Sequence, residues 1–125
     1  MNKHAGKIIS KTEAGELFGD VLVKKEIESE FLRTLCDKSV ENMMFKIVDS
    51  EVIILGDNRK VIYPPEKVIS EAAVFSRYSK SLVIELLEKG GSDKTYIEER
   101  KEVLTISNDL YVLEYSTPCP PYCFD

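Results

Sequence analysis

The run EVIIL at residues 51–55 carries an unbroken apolar stretch between an acid and a glycine. A half-buried strand interrupts such a stretch with polar residues at every second position. A strand covered on both faces does not. The run sits inside NMMFKIVDSEVIILGDNRKVIYPP, which is rich in β-branched and aromatic residues. Turn residues cut this segment at Asp49-Ser50 and at Gly56-Asp57-Asn58, so three strands are predicted over 43–49, 51–55 and 59–63. The middle strand belongs at the centre of a sheet, with a helix over one face. Its other face needs a second layer or a second copy of the chain, and a homodimer is expected on that ground.

The flanking segments read as helices. Ser10 and Glu13 form a capping box at the head of SKTEAGELFGD, and Gly19 closes a short helix over 11–18. Val23, Ile27, Phe31 and Leu35 recur every four residues, which predicts a longer helix from about residue 21 to 38. Pro64 and Pro65 end the third strand, because neither donates to a ladder. Pro65 and Glu66 suit the first turn of a further helix that carries Val68, Ile69, Ala72, Ala73 and Phe75. SRYSKS bends or breaks it, and SLVIELLEKGG continues it to a glycine stop at Gly90. A last hairpin is predicted over 95–106 and 110–116, turning at Asn108-Asp109. No internal repeat is visible. The expected fold is a single α+β domain of order α-α-β-β-β-α-β-β. It has one antiparallel sheet of about five strands, with helices mainly on one face. Residues 1–8 are expected to be a flexible terminus, and residues 117–125 a Pro/Cys-rich tail.

Composition narrows function mostly by exclusion. The 125 residues suit one domain, and 43% apolar with 31% charged residues suits a packed one. The net charge is −5, and VKKE and ERKE, the densest basic stretches, are interleaved with acids. Nucleic-acid binding is not expected, because displacing counterions from phosphates needs a basic face. No apolar run approaches the roughly 18 residues of a membrane span. The opening MNKHAGKIIS has too short an apolar core for a secretory signal, and a cytoplasmic protein is expected.

Few residues carry chemistry. His4, the only histidine, lies in the expected flexible terminus, so histidine-based catalysis and metal binding lose their base. KGGSDK at 89–94 follows a helix, whereas a phosphate loop precedes one; LGDNRK at 55–60 is a hairpin turn. In YIEERKEV, Glu98 and Glu99 point to opposite faces of a strand, and the mixed charges read as a solvated strand or guarded edge. Cys36 lies on an apolar helical stripe and reads as an inert buried thiol.

The tail STPCPPYCFD holds the one candidate pair. Cys119 and Cys123 supply two ligands where zinc needs about four, and no Lys or Arg lies beyond residue 103 to favour a thiolate. The tail is read as stiffened by Pro118, Pro120 and Pro121 and anchored by Tyr122 and Phe124. The expected function is a cytosolic, non-catalytic interaction or binding module without a cofactor, whose partner is a second copy or another protein. The competing reading is a thiol-dependent redox or metal-binding protein acting through Cys119 and Cys123.

Overall fold

The structure, a computed structural model, describes residues 6–65, 67–90, 93–101 and 103–119. The first strand, β1 (Lys7–Ser10), leads into α1 (Lys11–Phe18). Ser10 caps α1 as predicted, its Oγ accepting from the Glu13 N–H at 3.2 Å, and Gly19 ends the helix at φ 77°. Next come β2 (Val23–Glu28) and α2 (Ser29–Cys36), then the meander β3 (Asn42–Val48), β4 (Glu51–Leu55) and β5 (Val61–Tyr63). The chain continues through β6 (Phe75–Ser79) and α3 (Lys80–Gly90) into a second meander: β7 (Lys94–Glu99), β8 (Leu104–Ser107) and β9 (Tyr111–Glu114). The last described strand is β10 (Thr117–Cys119).

The fold is α+β, but it has two antiparallel sheets rather than one. Their orders are β1-β9-β8-β7-β2 and β10-β6-β3-β4-β5. The predicted helix over 21–38 is a strand followed by a helix. Val23 and Ile27 are four residues apart, a spacing that fits one face of a helix and equally one face of a strand. The pairing of β2 along β7 resolves this in favour of the strand. The helix predicted after Pro65 is likewise absent over 67–79. The segment 67–74 has no regular structure, and Ile69 and Ala73 pack against the outer face of the β4 sheet. Helix-forming alanines yield here to the apolar surface they cover.

The two halves of the chain repeat each other, which the sequence does not reveal. Each half runs strand, helix, three-stranded meander, and the two meanders keep one register. Met44↔Leu55, Phe45↔Ile54, Lys46↔Ile53 and Ile47↔Val52 in the first correspond to Tyr96↔Ser107, Ile97↔Ile106, Glu98↔Thr105 and Glu99↔Leu104 in the second, at a constant offset. The lead strands are exchanged: β2 pairs with β7, and β6 pairs with β3. Equivalent backbone bonds start both helices, Ser29 N–H to Asp93 O at 2.9 Å and Lys80 N–H to Glu41 O at 2.8 Å. Equivalent residues also meet in one core, where Leu32, Leu35, Phe45 and Ile54 pack together with Val83, Leu86, Ile97 and Ile106.

Both faces of β4 are covered by the chain itself. Ile54 enters the shared core, whereas Ile53 and Leu55 join Met44, Phe75 and Cys119 on the outer face. The uncovered face that called for a second subunit is therefore filled from within. No helix among the described residues is long and apolar enough to cross a membrane.

Candidate functional site

The outer face of the β1-β9-β8-β7-β2 sheet, under α1, is built differently from its twin. Strand alternation sends Tyr96 and Glu98 of β7, Thr105 and Ser107 of β8, and Val112 and Glu114 of β9 to this side. Adjacent strands lie about 4.8 Å apart, so these side chains are neighbours. Val112 faces Ser107, Ser107 faces Tyr96, and Thr105 faces Glu98. At the rims, Lys7 pairs with Glu114 and Lys24 with Glu98. In the other sheet the positions of Tyr96, Thr105 and Ser107 are held by Met44, Ile53 and Leu55, which form an apolar cluster. The architecture accepts apolar residues there, so it does not require the polar ones.

The polar floor is buried. Thr105, Ser107 and Glu114 have no exposed surface, and Glu98 and Arg100 keep only 4% and 7%. Arg100 ties the floor to the turn after α1. It donates from Nε to Thr105 Oγ1 at 3.4 Å and from Nη1 to the Gly19 carbonyl, and its Nη2 lies 3.6 Å from Glu98 Oε1. That last distance makes an ion pair but not a hydrogen bond. Glu98 Oε1, Ser107 Oγ and both carboxyl oxygens of Glu114 are buried without a hydrogen-bond partner. Every such side-chain atom among the described residues lies on this one face. Burial pushes the Glu114 carboxyl up to about 7, against the pull of Lys7 and with the help of Glu13 on α1. At the open rim, the Lys24 ammonium sits 4.1 Å from the centre of the Tyr96 ring, and that of Lys11 5.9 Å.

Ala14 packs with Ile9 and Val112 in a separate small cluster. A hollow of about 530 Å³ beside Glu28, Glu30 and Asp93 is lined mainly by exposed side chains, and another, of about 260 Å³ beside Phe45, Arg100 and Leu104, opens at the end of β7 away from the unpaired oxygens.

Glu98 and Arg100 correct the solvated-edge reading of YIEERKEV, because β7 is an interior strand between β8 and β2. Thr105, Ser107 and Glu114 were not singled out from sequence. Alternation marks them as outward, and nothing local says whether water or α1 lies outside.

The tail residues are placed in part. Cys123, Tyr122 and Phe124 lie outside the described residues, as does His4. Cys119 is buried in β10 and is disulfide-bonded. A cation that the local sequence lacks does reach it. Arg59 donates from Nη1 to the Cys119 carbonyl at 2.8 Å and lies 3.6 Å from its Sγ, while Nη2 donates to the carbonyls of Ser70 and Ala73. Cys36 is free and buried, and burial pushes its thiol up to about 11. Among the described residues, no group of three or more His, Cys, Asp or Glu side chains is placed to hold a metal. No family model, curated protein or solved structure matches this chain.

Proposed function

We propose that this chain is a non-catalytic binding module whose ligand site is the polar floor beneath α1. The ligand is one that donates hydrogen bonds to carboxyl and hydroxyl oxygens. One observation carries this reading: the floor holds four buried oxygen atoms without hydrogen-bond partners, at Glu98, Ser107 and Glu114, and of these only Glu98 Oε1 has an ion pair, with Arg100. A buried polar atom left unpaired costs about 1–3 kcal/mol, and at the Ser107 position the other sheet carries Leu55, a cheaper solution to the same packing problem. Retaining the polar residues therefore favours a role outside folding.

The reading is tested through stability. Ser107→Ala and Glu114→Met are expected to stabilise the protein against urea by about 1–3 kcal/mol each, because each removes an unpaired group. Asn42→Ala is the control. Asn42 is buried and its Oδ1 accepts from Arg77 at 2.7 Å, so its loss destabilises. Destabilisation by both Ser107→Ala and Glu114→Met would make the floor structural and sink the reading.

A second reading, thiol–disulfide chemistry at Cys119, is favoured by the Arg59 guanidinium beside its sulfur, since a nearby cation favours a thiolate. Alkylation under mild reductant tests it. A Cys119 thiol that reacts no faster than an ordinary cysteine, in the wild type and in Arg59→Ala alike, removes it.

A further inference from the structure

We propose that protonation of Glu114 is the latch that holds α1 closed over the polar floor, so that the site opens when Glu114 loses its proton. The inference rests on reading the floor as a ligand site, and it adds how access to that site is controlled. Glu114 is fully buried at the end of β9, and neither carboxyl oxygen has a hydrogen-bond partner. A neutral carboxylic acid is tolerable in such a place, whereas an unpaired carboxylate is not.

The charged and titratable groups around it come from every neighbouring element. Lys7 lies across on β1 and is exposed. Glu13 comes from the first turn of α1 and opposes ionisation. Tyr78 comes from β6, deeply buried, and its hydroxyl donates to the Leu104 carbonyl. Glu98 of β7 and Arg100, just after that strand, are engaged with each other, and Arg100 also with Thr105 and Gly19. None of these pairs with the Glu114 carboxylate inside the closed structure. Once ionised, the carboxylate is repelled by Glu13 and attracted by Lys7, whose ammonium is in water. The repulsion from Glu13 favours lifting α1, whereas the attraction of Lys7, on β1, steadies the charge with α1 closed and so lowers the pH at which opening levels off.

Ala14 is the buried apolar anchor of α1 among the residues whose side chains are described, and Gly15 faces open space. The carboxyl proton passes to a solvent base, leaving the carboxylate, and no other reactant is needed. The Glu114 carboxyl titrates near 7 when α1 is closed and near the ordinary glutamate value once it is solvated. Opening therefore becomes easier as pH rises between those two values and levels off above the higher one.

The test is amide hydrogen exchange of residues 11–19 in the full chain at a series of pH values, each read against Glu114→Gln at the same pH. That ratio cancels the chemical pH dependence of exchange. Wild-type protection is expected to fall relative to the variant by up to about tenfold per pH unit between about 4.5 and 7, then level off. Two exposed substitutions keep the proposal falsifiable if Glu114→Gln fails to fold. Glu13→Gln should move the levelling point to lower pH and Lys7→Gln to higher pH. A ratio independent of pH, or levelling points unmoved by both substitutions, overturns the latch. It does so whatever Ser107→Ala does to stability, because that substitution tests the floor as a site and leaves Glu114 in place.

Discussion

At the scale of single residues, two carboxylates show opposite logic. Asp57 sits in the turn after β4, where burial opposes its charge. Three consecutive N–H groups, from Val40, Glu41 and Asn42, nevertheless donate to it and hold its carboxyl below the usual range. Glu114 has burial without partners, and its carboxyl rises. The signs of their stability contributions differ accordingly. Asp57 contributes stability that is present above its unfolded value and lost as pH falls. Glu114 contributes stability that is present below its unfolded value, about 4.3, and lost as pH rises to about 7. A shift of this size corresponds to an upper limit of about 3 kcal/mol, and opening of α1 would reduce what is measured. Urea unfolding of wild type and Glu114→Gln at several pH values between these limits checks it. The wild type should lose stability relative to the variant as pH rises, and parallel curves would contradict the burial of the carboxyl.

At the scale of elements, one side chain bridges the segment 67–74 and β10. Arg59 bridges Cys119, Ser70 and Ala73 through their carbonyls and lies over the Phe75 ring at 5.4 Å. A planar guanidinium can reach several carbonyls in one geometry, which an ammonium on a flexible stem cannot. Arg59→Ala should destabilise the protein by about 1–3 kcal/mol, and Arg59→Lys should recover little of it. Limited proteolysis should cut first within 67–74 in both variants. Full rescue by lysine would mean that charge, rather than the fork, holds the segment. The same segment shows why local reading failed here. Val68 is 88% exposed, whereas Ile69 packs on the sheet, a division set by what lies beneath and not by helical period.

At the scale of the whole molecule, exchange of the lead strands interlocks the two halves. Sheet β1-β9-β8-β7-β2 takes β2 from the first half, and sheet β10-β6-β3-β4-β5 takes β6 from the second. Neither half completes a sheet alone, and both feed one core. Unfolding should therefore be one cooperative transition, with far-UV dichroism and hydrogen exchange reporting the same midpoint. Two separated transitions would show that the halves fold independently. Since the chain covers both faces of β4, light scattering should report the mass of one chain, 14.2 kDa. Twice that mass would show a second copy bound to a surface other than the faces of β4, such as one of the edge strands β1, β2, β5 and β10.

The sequence alone determined the local features. The N-cap at Ser10, the tight turns at Asp49-Ser50 and Asn108, and the two-sided burial of β4 all follow from residue chemistry within a few positions. It also determined the mixed α+β character. What covers each face was decided only in three dimensions. β2 became a strand because β7 lay beside it, and the alternation of Thr105 and Ser107 with Leu104 and Ile106 names a face without saying what lies above it. The repeat was hidden for a related reason. Packing conserves volume and burial, not identity, so Phe45 and Ile97 occupy the same place while Leu55 and Ser107 give the two outer faces opposite characters. That divergence, visible only when the two sheets are compared, is what singles out Ser107 and Thr105, and the unpaired carboxyl of Glu114 lies on the same face.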